Sequence, residues 1–429
     1  MRTVCTKRLH LARIGLVCLI AFGVAGVMVL AVSAAGDSHP VGPASAEAAV
    51  PSSIDRDLEP VILTGEDLPL LAGAPTDSLF LYAYRGESWE QIPFQVDEKD
   101  GGAYVPTMGS PLDADDEIVF MASDLGARPP DEQVTATLPI SPTWYRIEVT
   151  DPLSPTKKGW AYVVRSSALT KTFTETYTLF DPATNQITTT RYTIGLAEDR
   201  PYFHYLALNE SGVDIVDRSK VRIHTNLLPI QTEESTYLQL PSLSATKEGP
   251  VRVVARQGNV MGYAGVLQTT LAYTSPLDVT TIRASVDFAG TVVTSTFYNK
   301  NVAGGVPVDG APDVVAEEPL SLWWQLSGGT GTVVQVSDAE GTGGTLKNYY
   351  KDDDTIDPVD TGDQKSYGDA GLKVESPSRT IRYRTLLYVL PPNQDNVGGT
   401  YADYYDNPLD AATTPLFRYR TYVPLVLRN

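Results

Sequence analysis

The stretch from Trp89 to Gly126 reads WEQIPFQVDEKDGGAYVPTMGSPLDADDEIVFMASDLG, and the chain is organised around it. Two apolar runs, Ile92-Pro93-Phe94 and Ile118-Val119-Phe120-Met121, have the length and composition of short strands. Around them stand Glu90, Asp97, Glu98, Asp100, Asp113, Asp115, Asp116, Glu117 and Asp124, with Lys99 the one basic residue of the stretch. Strands that display so many carboxylates make either a cation site or a solvated acidic rim.

Outward from this stretch the strand signals continue. Ser78 to Tyr84 is β-rich and ends at Arg85-Gly86. In Trp144 to Thr150, Tyr145, Ile147 and Val149 share one face because side chains alternate at period two. That face is the core side, and Trp144 falls at the edge of the wetter one. Gly159 to Val164 is another apolar run of strand length. Thr172 to Thr178 and Gln186 to Ile194 read as a hairpin around the turn Asp181 to Asn185. Further on, Val251, Val253 and Ala255 alternate with Arg252, Val254 and Arg256. Ile282, Ala284, Val286 and Phe288 alternate with Arg283, Ser285 and Asp287. Ile381, Tyr383, Thr385, Leu387 and Val389 share a face opposite Arg382 and Arg384. Each is a half-buried strand with one apolar and one wet face. A short helix near Lys365–Leu372 is the exception, and Asn393 to Pro408 reads as a long loop. The fold class is all-β, in two sandwich-like domains, with 34 Gly and 31 Pro supplying turns.

The boundaries follow from composition. Residues 1–35 carry Arg2, Lys7, Arg8 and Arg13 before an uncharged run from Ile14 to Ala35. That is a secretory signal, or an uncleaved membrane anchor of about 20 apolar residues. Residues 36–55 are a Pro-, Ser- and Ala-rich linker. Residues 56–166 form the first β-sandwich domain and 167–429 the second, with a tail at 422–429 that is either a sorting tag or a last edge strand. The expected location is extracellular or at the cell surface, with membrane contact only through the N-terminal segment.

Composition excludes several chemistries. Both cysteines, Cys5 and Cys18, lie in the leader, so the body has neither disulfides nor thiolate sites. Setting aside the four basic leader residues leaves 29 basic against 52 acidic side chains, a net charge of −23. Nucleic acid is not an expected partner of such a surface. No Gly-rich phosphate loop is present; Gly328-Gly329-Thr330-Gly331 lacks a following Lys-Ser/Thr and reads as a turn.

Three sets of residues are candidates for function. Asp113, Asp115, Asp116 and Glu117, and in a second acidic loop Asp352, Asp354 and Asp357, offer oxygen ligands to Ca2+ without matching an EF-hand. Their alternative is a solvated acidic surface. His204, His224, Arg252 and Arg256 are the weak catalytic candidates, of the types a polysaccharide lyase or epimerase-like enzyme uses. Trp323, Trp324, Tyr404 and Tyr405 are aromatic candidates for stacking on a sugar or for ordinary packing. Neighbours in a strand point oppositely, so one tryptophan of the pair can be core while the other is surface.

The stretch Ile92 to Glu98, followed by Asp116 to Ala122 and Asp124-Leu125-Gly126, resembles a pattern in uncharacterised secreted bacterial β-sandwich proteins. It is also loosely similar to modules of carbohydrate-active proteins, in which a v-P-x-Q-x-D strand precedes a D-E-x-V-F strand. The resemblance covers about 40 residues, implies a β fold and transfers no catalytic residue. By fold analogy the second half is long enough for a large galactose-mutarotase-like sandwich. The functional expectation is an exported, surface-associated binding or structural protein without enzyme activity, with polysaccharide or cell-envelope components as partners and Ca2+ as a structural ion. The rivals are a carbohydrate-active enzyme and a purely structural envelope component.

Overall fold

The strand Glu117–Met121 decides the architecture because both of its faces are buried. Ile118 and Phe120 enter one apolar core, and Val119 and Met121 enter another. The strand is the centre of a three-stranded antiparallel sheet, between Pro60–Thr64 and Gln95–Asp97. The computed structural model describes residues 49–105, 111–130, 134, 143–198, 203–225, 230–233, 243–261, 264–284, 290–298, 315–316, 323–340, 344–353, 366–375 and 380–417. The leader 1–35, most of the linker, Asp354, Asp357 and the tail 422–429 lie outside these residues, as do the side chains of His224 and Asp352.

On one side of the central sheet lies a five-stranded sheet in the order Asp410–Phe417, Thr143–Asp151, Ser154–Arg165, Leu79–Arg85, Ser88–Gln91. Between the two sheets are Val61, Leu63, Leu81, Phe94, Tyr145, Ile147, Val149 and Val163. The pairing of Leu79–Arg85 with Ser88–Gln91 turns through Gly86 and Glu87, both at positive φ, the two-residue turn that suits twisted antiparallel strands. Trp144 is not at a wet edge. It is 6% exposed and packs with Phe80, Tyr82, Trp160 and Tyr162 in a separate cluster on the outer face of this sheet.

On its other side the central sheet meets a seven-stranded sheet, ordered Leu243–Lys247, Val253–Met261, Ala264–Ala272, Pro276–Ala284, Thr380–Leu390, Gly331–Glu340, Trp323–Gly328. This sheet too is buried on both faces. Val254, Leu271 and Tyr273 face the central sheet. Val253, Ala255, Leu277, Val333, Leu387 and Val389 face the opposite way. They pack there against a five-stranded meander from Thr178 to Asp214 and a six-stranded sheet that includes Val216–Thr225 and Ser366–Glu375. The described body is therefore four stacked β layers. Residues 48–429 form one compact unit. The last described strand, Asp410–Phe417, pairs with Thr143–Asp151, so the chain returns to the first sandwich after building the second.

Several local expectations change. Where a helix is expected near Lys365–Leu372, the described residues from Ser366 on form the strand Ser366–Glu375, paired to two neighbours, and ladder hydrogen bonds outweigh local propensity. Gln186 to Ile194 is two strands, Gln186–Thr189 and Tyr192–Leu196, not one. Ile282 is 38% exposed, while Leu277, Val279 and Thr281 are the buried face of their strand. The loop expected at Asn393–Pro408 contains the helix Gly398–Asp406, here α1. Its N-terminus is capped from a neighbouring strand: Gln325 Oε1 accepts the N–H groups of Val397 at 3.0 Å and Gly398 at 2.8 Å. Unsatisfied N–H groups of a first helical turn need such a partner.

Candidate functional site

A dense polar cluster lies where the central sheet meets the seven-stranded sheet. Its hub is Arg252, which is fully buried. Arg252 Nε donates to Asp97 Oδ2 at 2.7 Å, Nη1 to the Tyr273 hydroxyl at 2.6 Å, and Nη2 to Glu117 Oε2 at 2.6 Å. Nη2 also reaches the Tyr104 hydroxyl at 3.4 Å. The guanidinium lies over the Tyr104 and Tyr273 rings, with centroid distances of 5.2 and 5.5 Å. A buried guanidinium is tolerated only when its donors are occupied in this way.

Four separate segments build the hub's surroundings. The strand Gln95–Asp97 supplies two alternate side chains on one face. Gln95 Oε1 accepts the backbone N–H groups of Val251 and Arg252, and Gln95 Nε2 donates to both oxygens of Asp97. Gly249 makes this approach possible: a Cβ there would stand 2.2 Å from Gln95 Oε1. Lys247 places its ammonium 3.0 Å from Asp97 Oδ1 and donates to the Val96 carbonyl. Lys99 holds the second oxygen of Glu117 at 2.8 Å, and Tyr104 donates to Glu117 at 2.7 Å. Arg256 donates to the Tyr104 carbonyl at 2.6 Å.

The electrostatics follow from this geometry. Burial by itself would raise the Glu117 carboxyl, but Arg252, Lys99 and Tyr104 hold it at about 2. Burial also works against the charge of Arg252, yet Tyr273, Asp97, Tyr104 and Glu117 raise its pKa well above the ordinary value. Tyr104 is raised far above the usual phenol range, first by burial, so it keeps its proton and donates it. A shallow open cleft, with room for about one water molecule, borders the cluster, lined by Asp97, Glu98, Tyr104, Val105, Lys247, Val254 and Arg256.

The acidic turn Asp113 to Glu117 is ordered by amide hydrogens and cations. Asp116 Oδ1 accepts the Lys99 N–H and Oδ2 the Asp113 N–H. Asp115 accepts the Gly102 N–H, and Asp113 accepts the Asp115 N–H. Glu117 serves Arg252, Lys99 and Tyr104. Among the described residues no three His, Cys, Asp or Glu side chains are grouped to hold a metal ion.

The catalytic candidates separate. Arg252 and Arg256 belong to the cluster just described, and His204 is exposed on the strand Phe203–Leu208. The strand Val216–Thr225 carries His224. The aromatic candidates separate too. Trp324 is half-buried: its ring lies 5.0 Å from Tyr350 and packs against the large core. Trp323 is 37% exposed on the edge strand Trp323–Gly328 and rests against Gly398, where a Cβ would meet its ring at 2.3 Å. Tyr404 covers the Arg56 guanidinium at 4.1 Å, and Tyr405 lies 5.2 Å from Arg384, which is bound through two nitrogens to Asp278.

Sequence reading missed Gln95, Tyr104, Lys247 and Tyr273 as members of one cluster. The available signal was the pair of patterns Q-x-D and D-E. Their polar positions, Gln95, Asp97, Asp116 and Glu117, are those that bind the cluster and its adjoining turn.

No family model matches the chain, and no curated protein is similar to it. Among solved structures, it is similar to a 4-alpha-glucanotransferase from Thermococcus litoralis at 7% identity and a TM-score of 0.30, over 47% of this chain and 37% of that one. It thus spans little more than a third of that enzyme. It is similar also to a copper-containing benzylamine oxidase from Hansenula polymorpha at 8% identity and a TM-score of 0.26, over 85% of this chain and 77% of that one.

Proposed function

We propose that the protein is an exported, surface-associated β protein that presents a binding face to polysaccharide in the cell envelope and turns over no substrate. The observation that supports this reading is the closure of the Arg252 cluster. A lyase needs an arginine open to a sugar carboxylate and a base able to take a proton. Arg252 instead meets only the protein's own Asp97, Glu117, Tyr104 and Tyr273, and the Tyr104 phenol holds its proton against Glu117. Such a cluster suits a structural duty: it ties the loop before Val253–Met261 to the strands Gln95–Asp97 and Glu117–Met121. The basic leader and its apolar run support export.

Trp323 is the residue through which a glycan is expected to bind, since its indole is open on a sheet edge. Loss of one stacking aromatic weakens such a contact by about tenfold. The full chain is therefore expected to bind at least one member of a panel of neutral and acidic polysaccharides, and Trp323→Ala to reduce that affinity at temperatures where circular dichroism shows the variant still folded. Release of unsaturated or shortened sugars from the panel would replace this reading with the enzymatic one. Binding to no member would leave the envelope-structural reading.

A further inference from the structure

We propose that Glu59 and Arg56 form a proton-gated clasp on the C-terminal end of helix α1, closed when Glu59 carries a proton and loosened when it does not. The numbers of opposite charges around Arg56 do not match. Arg56 is buried, with its side chain fully covered, and it faces two buried carboxyls, Asp151 and Glu59. Its Nη1 donates to Asp151 Oδ1 at 3.1 Å and to the Asn407 carbonyl at 2.8 Å. Its Nη2 donates to the Tyr404 carbonyl at 3.1 Å. Those two carbonyls belong to the end of α1, where C=O groups lack partners within the helix and a cation is favourable.

Asp151 holds the bonded position, with the Leu153 N–H as a second donor. Glu59 Oε2 stands farther from Arg56, at 3.6 Å, and Glu59 Oε1 is buried without a partner. One guanidinium cannot neutralise two carboxylates and also serve two carbonyls. The proton that relieves this crowding belongs on Glu59. The other groups facing Glu59 do not remove the need for it: Tyr388 donates a hydrogen bond, Tyr401 and Tyr404 are neutral, and Arg384 is bound to Asp278 and acts on Tyr388 rather than on Glu59. Burial accordingly raises the Glu59 carboxyl to about 6, with Arg56 and Tyr388 opposing it.

Ionised Glu59 draws Arg56 away from Asp151 and from the helix carbonyls. Helix α1 then opens more often. It covers Val334, Val336, Leu386 and Tyr388 through Ala402 and Tyr401, so its opening exposes part of the seven-stranded sheet. This inference does not depend on the glycan reading, because its readout is the helix itself.

Hydrogen–deuterium exchange of the full chain tests it, with rates corrected for intrinsic pH dependence. Protection of the peptide spanning 398–407 is expected to fall by roughly eightfold between pH 5 and pH 7.5, the part of the Glu59 shift that this window spans. Glu59→Gln is expected to hold the pH 5 protection at both values. Asp151→Asn, which leaves Arg56 free to neutralise Glu59, is expected to reduce the pH dependence and serves if Glu59→Gln folds poorly. Flat protection in the natural protein, or an unchanged pH dependence in both variants, overturns the proposal.

Discussion

Replacing Arg252 with Met is expected to destabilise the protein by about 4 kcal/mol, the range seen when one partner of a buried ion pair is removed. The reason is what remains behind. Asp97 loses the donor to Oδ2, Glu117 loses the donor to Oε2, and the Tyr273 hydroxyl loses its 2.6 Å partner. Asp97 and Tyr273 are buried and the Glu117 side chain is only 12% exposed, so water poorly replaces the missing donors. Adding Glu117→Gln to the Arg252→Met variant removes one stranded charge. The double variant is therefore expected to cost about 2 kcal/mol less than the sum of the single ones. Urea unfolding of the four proteins of this cycle measures the coupling. A cost below about 1 kcal/mol for Arg252→Met, within the range of a surface pair, would show that the cluster contributes little to holding the layers together.

Stability is expected to rise, not fall, as the pH drops from 7.5 to about 5. Three carboxyls set the sign. Burial raises Glu59 from 4.5 to about 6 and Asp124 from 3.8 to about 6. An acid whose pKa is higher in the folded chain binds protons on folding. Its contribution is complete below the unfolded pKa and is lost as pH rises through the folded one. The two groups together add several kcal/mol, about 2 from Glu59 and about 3 from Asp124. Glu117 has the opposite sign. Its pKa is lowered to about 2 from 4.5, so its contribution is present above 4.5 and is lost as pH falls through 2. That loss is about 3 kcal/mol. The urea midpoint should therefore peak near pH 4–5 and decline on both sides. Glu59→Gln with Asp124→Asn should flatten the neutral limb and leave the acid limb. A midpoint that falls steadily from pH 7.5 to 4 would contradict the assignment.

The fold class was legible because strand periodicity is local. Ile147 and Val149 alternate along the chain and are buried as expected. What was not legible is that several strands have two buried faces. The alternation Val253, Ala255 against Arg252, Val254, Arg256 reads as one apolar and one solvated face. In the structure the second face meets the central sheet, and Arg252 is buried there by partners about 135 to 155 residues away in sequence. No local pattern reports such partners. Trp144 was misplaced for the same reason, since Phe80, Tyr82 and Trp160 cover it from neighbouring strands.

Helix α1 was hidden differently. Its first turn is Gly398-Gly399-Thr400, poor in helix formers, and its caps are Gln325 and Arg56, both more than 70 residues away. The site was half legible. Glu117, Arg252 and Arg256 were singled out, but as a metal ligand and as catalytic cations in separate sets. The fold places all three in one cluster, through side chains that composition alone does not connect.

The Arg252 cluster bridges the two sandwiches, and a single cooperative unfolding unit is the expected consequence. Tryptophan placement provides the test. Trp89, Trp144 and Trp160 lie in the first sandwich, and Trp323 and Trp324 in the second. In a Trp323→Phe, Trp324→Phe background, fluorescence reports the first sandwich alone, while far-UV circular dichroism reports both. Coincident urea transitions by the two probes mark a single cooperative unit. Coincidence is expected in this background, and separated transitions once Arg252→Met is added. Separated transitions before that change, or coincidence that survives it with an unmoved midpoint, would show that the cluster does not couple the two sandwiches.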